Sequence, residues 1–314
     1  MTRAPDVSIV VCTYNRAASL GLTLDALASQ AIPPGIRWEM ILVDNNSTDT
    51  TRAVIQRFVA TADIPTRSVF VPEQGLSRAR NAGIAASRGD IIAFTDDDVL
   101  PAKDWVVRIA TTLERTDVDI VGGRIVPAWL EKPPAWLQRR PALHDALAIL
   151  DHPTAARVLD PHGAPAVWGA NMAFRRRVFD RVGGFDARRG LVGATLHRGE
   201  EIDLVARALA AGCQAVYEPS VIVAHRIGPQ RMRLRYLSRL YFQRAEGDAL
   251  LQSATRRGRF GASLRDWTSA VRAIAGWLSA AAARRPDTVE RWLVCCAAIG
   301  SLWGSRKSRR VASG

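Results

Sequence analysis

Ile91-Ile92-Ala93-Phe94-Thr95-Asp96-Asp97-Asp98 decides the fold: a short apolar run that reads as a buried strand leads directly into three consecutive carboxylates. The segments before it alternate in the same style. Leu76 to Ser87 has helical spacing, Thr66 to Val71 reads as a strand, and Thr50 to Ala60 reads as a helix. Trp38 to Asp44 is a second strand that also ends on a carboxylate. Arg16 to Gln30 carries Leu20, Leu24 and Leu27 on one helical face and is ended by Pro33-Pro34, and Val7 to Tyr14 is a β-branched opening strand. Strands separated by single helices imply right-handed crossovers and a mostly parallel sheet in an α/β fold. Such sheets bind ligands at the carboxyl ends of their strands, where Asp44 and Asp96 to Asp98 stand.

Beyond the acid cluster the pattern loosens. Pro127 to Pro165 is proline-rich yet too apolar to be solvated throughout, so it is expected to travel over the surface and shape an acceptor site. Ala166 to Arg176 is strand-like, Glu201 to Ala211 is a helix stopped by Gly212, and Ala215 to Ala224 is a strand interrupted by Pro219. After His225 two helices are expected, Arg231 to Ala245 and Leu264 to Ala283. In the first, Leu234, Leu237, Leu240 and Tyr241 share a face with arginines around them.

Charge divides the chain at the same place. It has 314 residues, 48% hydrophobic and 23% charged, enough for a full-sized core. Residues 1–225 carry 25 basic and 25 acidic side chains, whereas residues 226–314 carry 18 and 5, so the whole +13 lies in the last segment. A main body without net charge has no field to gather nucleic acid, and no nucleic-acid partner is expected. Cys12, Cys213, Cys295 and Cys296 form no CxxC pair and have no histidines at zinc spacing, which points away from zinc and disulfides and towards a reducing, cytoplasmic setting. The apolar run near the N-terminus is too short for a secretory signal, and the longest late apolar run, Trp292 to Trp303, is too short to span a bilayer.

Three groups of residues could carry chemistry. Three adjacent aspartates repel one another unless exposed or neutralised, and a divalent cation such as Mg2+ or Mn2+ would neutralise them; an acidic turn capping a helix that begins near Lys103 is the plainer alternative. Gly75-Leu76-Ser77-Arg78 opens a helix and suits an anion, although a solvated basic turn would read the same way. Gly199-Glu200-Glu201-Ile202-Asp203 starts another helix, with Asp203 and Arg207 at ion-pair spacing. Two carboxylates exceed what a cap needs, so one is a candidate general base. His225 closes the last strand as a candidate metal or phosphate ligand, or as a structural histidine. A GxxxxGK[ST] loop is absent, and no GxGxxG follows the first strand.

Taken in order, VSIVVCTYNR (7–16), WEMILVDNNSTDTT (38–51), EQGLSRARNAGIAASRGDIIAFTDDD (73–98), WGANMAFRRRVFDRVGGFD (168–186) and GEEIDLVARALAAGCQAVYEPSVIVAH (199–225) resemble glycosyltransferase family 2 enzymes of the GT-A fold. The resemblance covers about residues 6 to 225. It implies a GT-A catalytic domain over 1–225, with a nucleotide-sugar half at 6–128 and an acceptor half at 129–225, followed by a basic helical appendage at 226–314. It places Thr13, Tyr14, Arg16 and Asp44 at the nucleotide base and Arg78 near base and diphosphate. Asp96 and Asp97 fall near ribose and sugar, and Asp98 at the metal. Gly169, Ala170 and Asn171 fall along the sugar and acceptor pocket, and His225 near metal and phosphates. Glu201 matches the general base, although this chain has Glu200-Glu201 where the family usually has Glu-Asp, which leaves open which of the two faces the acceptor.

The activity so implied is metal-dependent, inverting transfer of a sugar from a nucleotide-sugar donor, UDP-linked by expectation, to a saccharide or lipid-linked acceptor in bacterial envelope glycan synthesis. A non-catalytic scaffold of the same fold is the alternative from another class. A nucleotide-sugar pyrophosphorylase would need a glycine-rich basic loop where this chain has VCTYNR. Trp267, Trp277, Trp292 and Trp303 among apolar runs and arginines suit helices lying on an anionic membrane surface at its cytoplasmic side, or a bundle with a solvated basic face.

Overall fold

The computed structural model describes residues 5–115, 117–152, 155–160, 166–190, 199–255 and 264–312. Its first part follows the sequence pattern closely. Strands β1 (Val7–Thr13), β2 (Trp38–Asp44), β3 (Thr66–Phe70) and β4 (Ile91–Asp96) alternate with helices α1 (Ala17–Ala28), α2 (Thr51–Thr61) and α3 (Leu76–Ala86). All four strands are parallel neighbours in the order β3-β2-β1-β4. Leu20, Leu24 and Leu27 of α1 are buried, as their spacing requires. Helix α3 sits so close to the sheet that a Cβ at Gly83 would lie 2.4 Å from a methyl of Val10.

The remaining elements are β5 (Val99–Pro101), α4 (Trp105–Glu114), β6 (Ile120–Trp129), α5 (Ala135–Gln138), β7 (Arg157–Val158), β8 (Asn171–Arg175), α6 (Arg176–Val182), α7 (Glu200–Ala210), β9 (Ala215–Ile227), α8 (Leu234–Thr255), α9 (Leu264–Ala282) and α10 (Thr288–Ala312). Together the strands form one nine-stranded sheet, β3-β2-β1-β4-β8-β6-β9-β5, with β7 added to β9. The second half departs from a parallel sheet: β8 runs antiparallel to both β4 and β6, and β5 antiparallel to β9. Strand direction depends on the path of the connecting chain, which local periodicity does not encode.

Three expectations change in this half. The acid cluster does not cap α4; Asp97 and Asp98 form the turn between β4 and β5, and α4 begins only at Trp105. The proline-rich stretch contributes the end of β6, a short helix, a 3-10 turn over Pro141–Leu147 and β7; its residues 153–154 and 161–165 lie outside the described residues. Strand β9 continues past Pro219 to Ile227, because a bulge opposite Gly123/Arg124 takes up the residues around a proline that has no N–H to pair.

The described chain divides into two compact units. One comprises the chain to Leu130 and the described residues from Leu147 to Ile227, and the other comprises Glu131–Ala146 and the chain from Gly228 onward. In the second unit Arg140 pairs with Glu290 at 2.7 Å and donates to the Pro286 carbonyl. Its helices α8 and α10 approach closely: a Cβ at Gly300 would come within 2.1 Å of the Phe242 carbonyl oxygen, and one at Gly304 within 2.4 Å of that of Glu246.

Candidate functional site

The parallel register carries the first group of residues to one sheet edge. Thr13 lies opposite Asp44, and Cys12 opposite Asp96, so the ends of β1, β2 and β4 are level. The loops that follow are tied to one another. The Asn15 side-chain oxygen accepts from the Thr48 amide at 2.7 Å, and the Arg16 amide donates to the Thr51 hydroxyl at 2.9 Å. Asn45 accepts from the Gly75 amide at 2.8 Å and donates to the Glu73 carbonyl at 2.8 Å, which fixes the entrance to α3. Asp44 is buried, accepts from the Ser47 amide at 2.9 Å and faces Arg52 at 3.4 Å, with the Arg52 guanidinium over the Phe70 ring. Tyr14 is half-buried and Arg16 exposed on this rim.

The acid turn is the second group. Asp97 and Asp98 are buried and Asp96 is half-buried. Burial and the neighbouring Asp98 push the Asp97 carboxyl up to about 7, against the pull of the Thr13 hydroxyl and Arg16. The antiparallel pairing of β5 with β9 sets Val99 opposite His225, and the Asp98 carbonyl accepts from the Arg226 amide at 2.9 Å. His225 Nε2 thereby stands 3.4 Å from Asp98 Oδ1, close to the roughly 3 Å between adjacent ligands of an octahedral Mg2+ with bonds near 2.1 Å. Among the described residues no group of three or more His, Cys, Asp or Glu surrounds one point. The donor set fits an ion that takes two protein ligands and completes its shell with phosphate and water, the usual habit of Mg2+.

A buried arginine organises the third group. Arg80 and Glu200 are 3% and 4% exposed and meet at 2.5 Å, while Arg80 Nη2 also lies 3.6 Å from Asp96 and the guanidinium faces the Phe185 ring. Burial alone would lower the Arg80 pKa, but Glu200, Asp96 and Glu201 together raise it above its ordinary value. Removing one partner of such a buried pair costs about 3–5 kcal/mol. Glu200 is therefore committed to Arg80, whereas Glu201, buried beside it on the first turn of α7, points about 100° further round the helix. Asp203 pairs with Arg207 at 2.9 Å, as its spacing predicts.

Two expected site residues make contacts within the protein. Arg78 is on the outer side of α3, pairing with the exposed Glu73 at 2.8 Å; Arg80, two residues later, is the one that reaches the acids. The sequence held the signal, because Ala79, Arg80 and Gly83 fall on one helical face and that face is buried. Asn171 is fully buried. Its amide oxygen accepts from the Trp105 indole at 2.8 Å, and its nitrogen donates to the Val221 and Arg124 carbonyls at 2.8 and 2.9 Å, which uses both of its donors. Gly123 makes room for it, since a Cβ there would sit 2.2 Å from the Asn171 amide nitrogen. Gly169 similarly leaves space for Arg80, and the Ala170 carbonyl accepts from the Thr95 hydroxyl at 2.9 Å.

The model of glycosyl transferase family 2 matches residues 8–183, which include β1 to β4, the acid turn and β8. The chain belongs to this family. Among curated relatives of this family 2 member, glycosyltransferase AglE of Haloferax volcanii is 36% identical over 38% of this chain and 40% of its own length. Glucosyl-dolichyl phosphate glucuronosyltransferase of the same organism is 27% identical over 74% of this chain and 72% of its own. Pre-mycofactocin glycosyltransferase of Mycobacterium tuberculosis is 32% identical over 70% of this chain and 42% of its own. The chain thus spans less than half the length of AglE and of the mycobacterial relative. Among solved structures, mannosyltransferase PcManGT from Pyrobaculum calidifontis in complex with GDP-Man and Mn2+ superposes with a TM-score of 0.63 at 22% identity, covering 96% of this chain and 88% of that one. The fold is therefore the α/β GT-A fold.

Proposed function

We propose that this family 2 member transfers a sugar from a nucleotide diphosphate donor to an acceptor hydroxyl with inversion. The observation that carries the reading is the meeting of Asp98 with His225 at the same sheet edge as the Arg80-centred carboxylates. Thr13, Tyr14, Arg16 and Asp44 form the rim that would receive the base, and Asp44, held by Ser47 and Arg52, would accept from a base N–H such as that of uracil. Asp98 and His225 would hold Mg2+ or Mn2+, which supplies positive charge to the leaving diphosphate. Asp96, oriented by Arg80, and Asp97 would face ribose and sugar.

Glu201 is the base in this scheme. Its carboxylate takes the proton of the acceptor hydroxyl as that oxygen bonds to the anomeric carbon; the bond from that carbon to the diphosphate breaks, and the electron pair leaves with the phosphate oxygen. Glu200, engaged by Arg80, fixes the first turn of α7 so that Glu201 is held in one place. Residues 1–225 would be the catalytic body and 226–314 its appendage. The dolichyl phosphate substrate in the name of the glucuronosyltransferase relative favours a lipid-linked acceptor. A panel of UDP- and GDP-sugars, each scored for metal-dependent donor hydrolysis and thermal stabilisation of the protein, tests the scheme. Selective, EDTA-sensitive hydrolysis of one donor is expected. Stabilisation by a donor with no turnover under any metal would favour a binding scaffold instead.

A further inference from the structure

Helix α9 turns several of its large apolar residues outward. Ala270 and Ala280 are buried and Trp277 is half-buried against Trp292 of α10, with ring centroids 5.0 Å apart. Trp267, Val271, Ile274 and Leu278, spaced by four, three and four residues, form one stripe on a different face, and all are exposed, Val271 at 61% and Leu278 at 54%. Ile299 and Trp303 of α10, the latter 51% exposed, continue this surface across a groove of about 250 Å³ whose edge holds Arg306 with its guanidinium over the Trp267 ring. An uninterrupted apolar face of this kind on a water-soluble surface marks a docking site.

The charge around it selects the occupant. The segment from residue 226 holds all of the chain's net +13; Arg306 stands at the groove, Lys307 beside it pairs with Glu246 at 2.7 Å, and Arg309 and Arg310 follow after Ser308 in the sequence. A second copy of this surface would bring one cationic rim against another, whereas an anionic lipid headgroup layer is complementary to it. Tryptophans and arginines at the borders of an aliphatic stripe suit the boundary between headgroups and acyl chains. No described helix is long and apolar enough to cross a membrane, so the face would lie in the plane of the interface.

We propose that the α9/α10 face, centred on Val271, Ile274, Leu278 and Trp303 and edged by Arg306, docks in the interface of an anionic phospholipid bilayer. The test uses the full chain and needs no nucleotide sugar, so its outcome is independent of the transfer reaction. Vesicles of phosphatidylcholine with about one third phosphatidylglycerol should sediment the protein, and neutral phosphatidylcholine vesicles should bind it at least tenfold more weakly. The double variant Val271→Asp/Leu278→Asp should lose at least tenfold in binding to the anionic vesicles, and Arg306→Glu several-fold. Both variants alter exposed positions, and circular dichroism checks that they keep the helical signal; Val271→Ser/Leu278→Ser gives a milder version of the same test. Equal sedimentation of wild type and variants, or no binding to the anionic vesicles, overturns the proposal. A concentration-dependent dimer in light scattering that the double variant abolishes, without vesicle binding by the wild type, would assign the face to self-association instead.

Discussion

The sheet-edge site and the C-terminal helices distribute charge in opposite ways. At the sheet edge Arg80, Glu200, Asp97, Asp98 and His225 are buried. On α9 and α10 the exposed groups include the large apolar side chains of Trp267, Val271, Ile274, Leu278 and Trp303, with Arg306 over the Trp267 ring. Desolvated charges are costly unless held in a set geometry, so a cluster of them fixes groups for chemistry on a charged ligand. Exposed apolar groups fix nothing by themselves and gain from any surface that removes them from water. The contrast separates a place where charges are held in a set geometry from one where apolar groups stand open to solvent.

The contrast can be broken at either end. The largest expected effect is at Glu201: Glu201→Gln should lower turnover about 10³- to 10⁴-fold while donor affinity, read by calorimetry, stays near wild type. Glu200→Gln should instead act through stability, and a loss of rate without any change in melting temperature would reverse the roles given to the two glutamates. Next, Arg80→Met should destabilise the fold by about 3–5 kcal/mol in urea unfolding, because Glu200 would be left buried without its partner. An Arg78→Met variant should change stability by no more than about 0.5 kcal/mol, since its ion pair is exposed. A smaller loss, about 1–3 kcal/mol, is expected for Gly123→Ala, whose methyl would displace the Asn171 amide. The smallest effect on stability belongs to Val271→Asp, within about 0.5 kcal/mol in the same assay. A strongly destabilised Val271→Asp protein would mean that the α9 stripe is packed in solution, and the contrast would fail.

Much of the first half of the chain is legible in the sequence. β1 to β4 and α1 to α3 begin and end within one or two residues of the pattern, because β1, β2 and β4 are buried almost throughout and α1 shows one apolar stripe. β6 was not legible: Gly122, Gly123, Arg124 and Pro127 interrupt any strand pattern, and the glycines are there for Ala166 and Asn171, which approach from elsewhere in the chain. The resemblance places Asn171 along the pocket, and nothing local to Gly169-Ala170-Asn171 tells whether its side chain meets a ligand or the Trp105 indole.

The sequence by itself determined that Asp44 and Asp96 to Asp98 end parallel strands, that two glutamates open α7, and that every excess positive charge lies beyond residue 225. These are properties of periodicity and counting, which are local. Only the tertiary structure decided that Asp98 meets His225, that Arg80 rather than Arg78 reaches the acids, that Glu200 is the glutamate that pairs with Arg80, and that α9 presents Trp267, Val271, Ile274 and Leu278 to solvent. Each of those depends on the register between distant strands or on which face of a helix finds a partner, and both are fixed when the core packs.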